Sequence, residues 1–461
     1  MCTIGPASSC ESRIKRLIEV GMDVARLNFS HGTHQEHRDS IRKIREISTG
    51  LDRHVAILQD LSGPKIRIGE FPDGTVTLKS KSEFILTNRD VPGNEHVASV
   101  NYKDLPREVK KGDTIMLSDG LIQLRVIDSD AGDIRCRVEI GGQLSSHKGI
   151  NLPSGTVKIP SLTDKDRTDL ELGIREEVDY IALSFVRKTE DIQEIKQIIS
   201  DRGKSIPVIA KIEKHEAVAN IDGILDAADG LMVARGDLGV EIPMEDVPAV
   251  QKMLVRKSNQ AGKPVITATQ MLRSMVDNPR PTRAETADVA NAVLDGTDAV
   301  MLSEETAVGQ FPVEAVRMMS RIAAKIETSM DFKDVMSIRN LPEGESIPEA
   351  IGRSAINIAR QVKAAAIITP TGQGKTARVV ARYRPLIPIY ALSSNPSTLR
   401  GLSLVWGVRP VNADYSPDIN VMMKRTVTMA LECGFKTGDK LVVTASVPAG
   451  GLTNMIKVEV I

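Results

Sequence analysis

The stretch PVIAKIEKHEAVANIDGILDAADGLMVARGDLGVEIP, residues 207–243, decides how the chain folds. It opens with a short apolar run that ends on Lys211 and Glu213, and a helical pattern follows. A second apolar run at 230–234 ends shortly before Asp237. This order predicts a strand, a helix and a strand, with charged side chains at the carboxyl end of each strand. Ligands bind at that edge of parallel α/β sheets, so these charges are candidates for function.

The three charged residues suggest a specific chemistry. Glu213 and Asp237 are hard oxygen donors, and two carboxylates with open coordination positions suit Mg²⁺. Lys211 lies two residues before Glu213 and therefore on the same side of the strand. A cation beside a divalent metal suggests that negative charge develops there and is stabilised. A cluster of salt bridges at the strand ends is the alternative explanation.

The composition is that of a globular chain with two or three domains: 461 residues, 41% hydrophobic and 26% charged. Lys plus Arg and Asp plus Glu number 60 each, and aromatic residues make up only 3%, so we expect no nucleic-acid or membrane partner. The four cysteines lie far apart without a CxxC pair, which favours reduced thiols. The sequence contains neither a signal-peptide pattern nor a membrane-length apolar run, so we expect a cytoplasmic protein.

Most of the chain alternates between strand and helix patterns. The two alternating segments, 1–63 and 159–340, together approach the roughly 250 residues of a TIM (β/α)8 barrel. We therefore predict that fold for them. The eight expected strands lie at 2–4, 24–29, 55–58, 180–185, 207–212, 230–234, 264–268 and 298–302.

Two further domains are expected outside the barrel. Residues 64–158 show short alternating runs with turn residues between them, which predicts an inserted all-β barrel that acts as a lid. Residues 330–345 are polar and predict a linker. Residues 346–461 predict a C-terminal α/β open-sheet domain. The strand-like runs of the insert lie at 75–78, 84–86, 114–117 and 134–140, and those of the C-terminal domain at 365–369, 387–391, 408–411 and 440–445.

Unusual polar residues follow six of the eight expected barrel strands. The carboxyl ends of parallel strands share one rim, where the active sites of such barrels lie. A set of independent salt bridges would not be expected to collect at one rim, so this pattern favours a functional site. These residues are Arg26, Asn28, Ser30, Asp60, Lys211, Glu213, Asp237, Thr269 and Ser303.

Several long motifs resemble those of pyruvate kinases, in family order and over nearly the whole chain. They are AKIEKHEAV, LMVARGDLGVEIP, ARLNFSHG (25–32), TATQMLRSM (267–275), NPRPTRAETADVANAVLDGTDAVMLSEETA (278–307) and ARYRP (381–385). The resemblance implies transfer of a phosphoryl group from phosphoenolpyruvate to ADP, which gives pyruvate and ATP in the last step of glycolysis. It also implies a homotetramer with a phosphorylated allosteric effector. Family members usually carry several more residues before MCTIGPAS, so we expect that this chain starts short or is trimmed.

The resemblance assigns the substrate to the barrel rim. Arg26 would hold the phosphate of phosphoenolpyruvate, although a rim ion pair also explains an arginine there. The free N–H groups of Gly236 and Asp237, at the start of a short helical turn, would suit the substrate carboxylate. Lys211 would stabilise charge on the phosphoryl group and the enolate.

The metal and the proton donor follow from the same resemblance. Glu213 and Asp237 would hold Mg²⁺, or Mn²⁺ in its place. Thr269 would help to protonate the enolate carbon through a water chain. A threonine that caps the next helix is the alternative interpretation of Thr269.

The nucleotide would bind between the barrel and the insert. Family position makes Arg67 and Lys148 ligands of the ADP phosphates, with Asn28 and His31 nearby. For Lys148 alone, a solvated lysine is the simpler interpretation. If both bind the nucleotide, the insert must close over the rim and exclude water.

The monovalent-cation position departs from the family pattern. Potassium-dependent relatives use Asn28, Ser30, Asp60 and the carbonyl of the next residue. Here Leu61 replaces the usual threonine, and Lys65 replaces the usual glutamate. A lysine ammonium can occupy a K⁺-like position, so we hypothesise that Lys65 supplies this charge and that K⁺ is not required.

A glycine-rich loop in the C-terminal domain follows an expected strand and precedes an expected helix, which suggests a phosphate cradle. Family position makes it the site of a sugar-phosphate or nucleotide effector, whereas an ordinary glycine-rich turn is the alternative. The loop comprises Thr371, Gly372, Gln373, Gly374, Lys375 and Thr376.

Two other functions compete with the kinase. One is a carboxylic-acid lyase that uses Mg²⁺-enolate chemistry without a nucleotide, and Arg67 and Lys148 argue against it. The other is a non-catalytic sensor that binds phosphoenolpyruvate. The presence of Lys211, Glu213, Asp237 and Thr269 argues against a sensor.

Overall fold

A computed structural model describes residues 1–153, 155, 158–330, 346–413, 418–448 and 450–461. The expected linker at 330–345 lies outside the described residues except for Met330. Within the described part of the chain, no helix is both long enough and apolar enough to cross a membrane.

Eight parallel strands form the barrel, as expected. Each pairs with the next along the chain, and a parallel bridge between Cys2 and Leu302 joins the last to the first. The expected strand positions differ from the observed ones by at most a few residues at each end. The strands are Cys2–Ile4, Val24–Asn28, Ala56–Asp60, Tyr180–Leu183, Val208–Ile212, Gly230–Ala234, Val265–Ala268 and Ala299–Val300.

Helices cover the outside of the barrel because each buries one apolar stripe against the strands. Ile14, Leu17 and Ile18, for example, form the buried side of the first helix. The helices of this part are Glu11–Glu19, His34–Gly50, Asp164–Arg175, Thr189–Asp201, His215–Ala219, Ile221–Ala227, Arg235–Glu241, Val247–Gln260, Arg283–Asp295, Glu304–Ala307 and Pro312–Glu327, with 3₁₀ turns at Met244–Asp246 and Arg273–Val276.

The insert has its own sheets and its own hydrophobic cluster. Its six-stranded sheet is antiparallel except for one parallel pair at its edge, and a separate pair of strands lies beside it. Besides these strands, the insert contains one short helix, Leu105–Glu108. The strands are Thr75–Leu78, Glu83–Thr87, Val97–Ser99, Thr114–Leu117, Ile122–Ser129, Asp133–Ile140, Gly142–Ser145 and Ile150–Asn151.

The C-terminal part contains an open five-stranded sheet with helices against it. Four strands are parallel and the fifth, Met455–Val460, pairs antiparallel at the edge. The expected strands are present, whereas this edge strand was not expected. The other elements are the strands Ala366–Pro370, Ile389–Ser393, Val408–Asn412 and Lys440–Ala445, and the helices Ile347–Val362, Lys375–Ala381, Pro396–Leu402 and Ile419–Glu432.

The C-terminal part closes the amino end of the barrel and leaves the carboxyl end as the mouth. Leu404 packs into the cluster of side chains that fills the barrel interior. Tyr180, at the start of the fourth strand, donates a hydrogen bond to the Gly401 carbonyl at 2.5 Å. The domain limits 1–63 with 159–340, 64–158 and 346–461 stay predictions, although the three sheet systems fall within them.

A buried ion pair joins the two parts. Arg384 and Asp298 approach to 2.7 Å, and their side chains are only 5% and 7% exposed. Arg384 also donates to the Gly296 carbonyl and lies over the ring of Trp406. Removing one partner of such a pair leaves an uncompensated buried charge.

We therefore expect Arg384→Met to lower the free energy of unfolding by about 3–5 kcal/mol, as breaking a buried pair typically does. Urea unfolding would measure the change. Arg317→Met is the matched control, because Arg317 forms only an exposed pair with Glu314, and it should change the free energy by less than about 1 kcal/mol. Equal effects of the two substitutions would contradict the prediction.

Candidate active site

A buried lysine lies at the centre of the barrel mouth. The Lys211 ammonium is 3.1 Å from Asp60 Oδ1 and 2.9 Å from Glu213 Oε1. It also donates a hydrogen bond to Ser184 Oγ at 2.6 Å. Burial opposes its charge, but the two carboxylates outweigh this effect and raise the pKa of Lys211. The ammonium is therefore a permanent positive charge at neutral pH.

Arg26 forms a second fixed positive charge beside the first. Its Nε donates to Asp60 Oδ2 at 2.6 Å, and its Nη1 donates to Thr3 Oγ1 at 2.9 Å. Asp60 is thus shared by Arg26 and Lys211. Burial would raise the pKa of Asp60, but these two cations lower it below its usual value. The cluster has two positive charges around one shared carboxylate, with Glu213 on the far side of Lys211.

Glu213 is buried in the mouth, and Asp237 is near enough for its charge to act on it. The side chain of Glu213 is 2% exposed, and its Oε2 accepts a hydrogen bond from the Phe185 N–H at 2.8 Å. Burial raises the pKa of Glu213 against the opposing effect of Lys211, and the charge of Asp237 adds to the rise. Two hard oxygen donors that repel each other fit a divalent cation such as Mg²⁺, because the cation would remove that repulsion.

At the barrel mouth, Lys65 lies near Asp237 and not near Asp60, the carboxylate of the expected monovalent-cation position. Its Nζ lies 3.7 Å from Asp237 Oδ1, and both side chains are about one-third exposed. Asp60 is instead paired with Arg26 and Lys211. Lys65 does add a positive charge at the rim, but the structure brings that charge to Asp237.

The other residues of the monovalent-cation position are held by contacts of their own. Asn28 Oδ1 accepts a hydrogen bond from the Ser30 N–H at 3.1 Å. Ser30 Oγ lies 3.3 Å from Ser62 Oγ. The side chain of Leu61 is buried, and its carbonyl accepts from Ser184 Oγ at 2.6 Å.

Thr269 and Gly236 are joined across neighbouring strands. The Gly236 N–H donates to Thr269 Oγ1 at 2.8 Å, and the Thr269 hydroxyl donates to the Ala268 carbonyl at 2.6 Å. The expectation that Gly236 offers a free N–H is therefore wrong, since the threonine hydroxyl occupies it. Thr269 acts as a cap for the helix Arg235–Glu241, which precedes it in the chain, and not for the helix that follows.

The two candidate nucleotide ligands lie where the insert joins the barrel. Arg67 and Gly149 form an antiparallel bridge, and the Ile68 N–H donates to the Lys148 carbonyl at 3.0 Å. This pairing brings Arg67 and Lys148 side by side although they are far apart in sequence. Arg67 Nη1 also donates to the carbonyl of His147. Lys148 and His31 are exposed at their positions.

Hydrogen bonds of two threonines hold the glycine-rich loop of the C-terminal part. Thr371 Oγ1 accepts from the Gly374 N–H at 2.9 Å, and the Thr376 hydroxyl is buried against that of Thr453 at 2.8 Å. These two threonines hold the loop itself. The exposed members, which could meet a ligand, are Gly372, Gln373 and Lys375.

Three residues that shape the mouth were not identified from the sequence. Thr3 lies within the first strand and Ser184 directly follows the fourth, the two strands left out of the rim set, and they hold Arg26 and Lys211. Arg235 makes two 2.7 Å contacts with Asp288 and donates to the Thr269 carbonyl. Their positions within or directly after barrel strands were the available signal.

Comparison with known proteins extends over the whole chain. The family model for the pyruvate kinase barrel domain matches residues 1–316, and that for the pyruvate kinase alpha/beta domain matches residues 349–459. The pyruvate kinase of Geobacillus stearothermophilus is 50% identical over 467 residues, covering 100% of this chain and 80% of that protein. Pyruvate kinase 2 of Synechocystis sp. is 48% identical, with coverages of 100% and 78%. A crystal structure of a pyruvate kinase from Cryptosporidium parvum superposes with a TM-score of 0.95 at 40% identity, covering 100% of this chain and 95% of that one.

The depressed pKa of Asp60 predicts a pH-dependent contribution to stability. Because its pKa is lower when folded than when unfolded, the contribution is full above about pH 5 and is lost as pH falls through the folded value. The wild type should therefore have a higher free energy of unfolding than Asp60→Asn, and this difference should be largest near neutral pH and smaller in acid.

Urea unfolding at neutral pH and near pH 3.5 would measure this difference. Asp90→Asn serves as the control, because Asp90 forms an exposed pair with Lys103, and its effect should be small at both pH values. The prediction would be contradicted if Asp60→Asn lowered the free energy of unfolding by the same amount at both pH values.

Proposed function

Because the chain belongs to the pyruvate kinase family, we propose a specific role for each mouth residue in its reaction. The chain transfers a phosphoryl group from phosphoenolpyruvate to ADP, the last step of glycolysis. This membership disfavours both the lyase and the sensor. One observation carries the proposal: Lys211 is buried at the mouth, 3.1 and 2.9 Å from two carboxylates.

Arg26 and Lys211 bind the phosphoryl group that is transferred. Asp60 and Thr3 fix two nitrogens of the Arg26 guanidinium, and we assign the remaining amino group, Nη2, to a phosphoryl oxygen. Phosphoryl transfer needs chiefly positioning and neutralisation of charge, which two fixed cations supply. Carboxylate and hydroxyl partners already hold both cations in the mouth, so both charges are in place before the transfer step.

Lys211 has to exchange one of its present contacts when the substrate binds. Its ammonium group forms ion pairs with Asp60 and Glu213 and donates a hydrogen bond to Ser184. We expect the contact with Glu213 to loosen, because Glu213 is also the proposed metal ligand. The contacts with Asp60 and Ser184 would then keep the ammonium in place beside the substrate.

Glu213 and Asp237 would hold the divalent cation, Mg²⁺ or Mn²⁺. When bound, that cation would neutralise charge on the substrate carboxylate and the enolate oxygen. The supporting observations are the raised pKa of Glu213 and the oxygen-only donor set. The Gly236 N–H is already taken by Thr269, so the proposal assigns the substrate carboxylate to the cation side of the mouth.

Thr269 would help to protonate the enolate carbon through a chain of water molecules, which supplies the proton. Its hydroxyl accepts from Gly236 and donates to Ala268, so it holds no proton free to give directly. If the hydroxyl exchanged its hydrogen bond to Ala268 for one to a water molecule, a proton would come within reach of the substrate. The positive φ of 70° at Thr269 marks a strained backbone, as is common at active sites.

ADP binds between the mouth and the insert. Arg67 and Lys148 would bind its phosphates, because the two paired segments that connect the insert to the barrel place both residues at that junction. Asn28 ends the second strand and His31 lies on the loop after it, so both would contact the nucleotide from the barrel side. Closure of the insert would exclude water from the transfer.

Regulation and assembly extend the same proposal. The exposed residues Gly372, Gln373 and Lys375 would bind the phosphate of an allosteric effector. The chain would act as a homotetramer in the cytoplasm, where glycolysis takes place. These statements rest on the family alone.

Lys211→Met should reduce kcat by at least about a thousandfold, because charge developing on the transferred group would lose its central cation. Binding of phosphoenolpyruvate, followed by calorimetry, should stay measurable because Arg26 remains. Lys252→Met replaces an exposed lysine and should leave kcat unchanged. A wild-type rate in Lys211→Met would reject the assignment.

Replacing K⁺ by tetramethylammonium should change the rate by less than about twofold, because Lys65 already supplies a fixed charge at the rim. A coupled assay with each salt would measure it. Lys65→Glu should make the enzyme depend on K⁺. A strong loss of wild-type activity without K⁺ would refute the hypothesis.

A further inference from the structure

A second group of metal-ligand side chains lies beside the active site but outside it. His215, Glu216 and Glu241 come from the segments that follow the fifth and sixth barrel strands. One ligand atom from each lies within 4.8 Å of the others. His215 Nδ1 is 3.2 Å from Glu216 Oε2 and 3.5 Å from Glu241 Oε2. The proposed reaction uses none of these three residues.

The three ligand atoms are buried without hydrogen-bond partners. His215 Nδ1, Glu216 Oε2 and Glu241 Oε2 are each shielded from solvent, and none makes a hydrogen bond of acceptable geometry. The Glu241 side chain is 0% exposed. Leaving such polar atoms unpaired is costly, so an arrangement that leaves three of them facing one another calls for a partner.

The other oxygen of Glu241 is already satisfied. Glu241 Oε1 accepts from Lys214 Nζ at 2.6 Å and from Asn151 Nδ2 at 2.9 Å. These two bonds fix the carboxylate so that its free oxygen, Oε2, points to the cluster. Such outer contacts commonly orient the first ligands of a metal.

Two of the three distances between the ligand atoms match the coordination of a small transition-metal ion. Zn–N and Zn–O bonds of about 2.0–2.2 Å in a tetrahedral site place the ligand atoms roughly 3.3–3.6 Å apart. The two distances from His215 Nδ1 are within about 0.1 Å of that range. The His215 side chain is 32% exposed and that of Glu216 is 15% exposed, so an ion could enter and keep a water as its fourth ligand.

We propose that His215, Glu216 and Glu241 bind a divalent transition-metal ion of the Zn²⁺ type. The imidazole nitrogen favours such an ion over Mg²⁺, which prefers oxygen. The site is thus chemically distinct from the carboxylate pair Glu213 and Asp237.

The ion would connect the two loops that carry the catalytic carboxylates. His215 follows Glu213 by two residues, and Glu241 ends the helix that contains Asp237. Asn151 lies on the last strand of the insert and contacts Glu241 directly. An ion here would therefore join both loops near the point where the insert returns to the barrel.

Cobalt titration of the full-length, metal-stripped protein tests the site. Mg²⁺ in large excess would first occupy Glu213 and Asp237, and Co²⁺ would then be added while its visible absorption is recorded. We expect one tightly bound Co²⁺ with the intense bands of a low-coordinate site. His215→Gln and Glu216→Gln should each weaken binding at least tenfold, and Zn²⁺ should raise the Tm of the wild type but not of these two variants.

Matched variants make the result decisive. His96→Gln, at an exposed histidine of the insert, should bind Co²⁺ as the wild type does. Glu213→Gln should retain the site, which would separate it from the catalytic pair. The near-UV spectrum would verify that each variant is folded. Because Glu216 is partly exposed, its substitution should disturb the fold little. Absence of tight Co²⁺ binding, or unchanged binding in His215→Gln and Glu216→Gln, would overturn the proposal and leave a plain ion-pair cluster.

Discussion

The contact between the Lys211 ammonium and its two carboxylates organises the barrel mouth. A buried cation is stable only when its charge is compensated, and here Asp60 and Glu213 lie within 3.1 Å of it. Asp60 in turn holds Arg26, and the charge of Asp237 acts on Glu213. The contacts that stabilise the buried charge of Lys211 therefore also position Arg26 and Glu213 for the proposed transfer. Stability and function share one set of side chains at this end of the barrel.

The C-terminal part covers the amino end of the barrel and leaves the mouth open for the proposed reaction. Tyr180 and Leu404 close the amino end against the C-terminal part, and Arg384 anchors that part through Asp298. The insert joins the barrel at the mouth, through the paired segments around Arg67 and the contact of Asn151 with Glu241. In the proposed function, substrate, nucleotide and lid therefore meet at one face, while the regulatory part contacts the other.

The sequence predicted the barrel and its charged rim because strand periodicity places polar residues directly at strand ends. It did not predict contacts that depend on strand register or on the path of a loop. Thr3 and Ser184 look like ordinary strand residues until pairing places them beside Arg26 and Lys211. The partner of Lys65 depends on where the insert leaves the barrel, and that path brings it to Asp237. The occupied N–H of Gly236 likewise follows only from its neighbour across the sheet.

The central proposal is that one divalent ion is held jointly by the carboxylates of Glu213 and Asp237. A crystal structure with Mn²⁺ and an analogue of the enolate, with anomalous scattering to locate the metal, tests it most directly. The proposal predicts an anomalous peak about 2.2 Å from one oxygen of Glu213 and one of Asp237, with the Lys211 and Arg26 head groups directed at the analogue. A peak that contacts neither carboxylate, or two carboxylates that point away from a common ion, would contradict it.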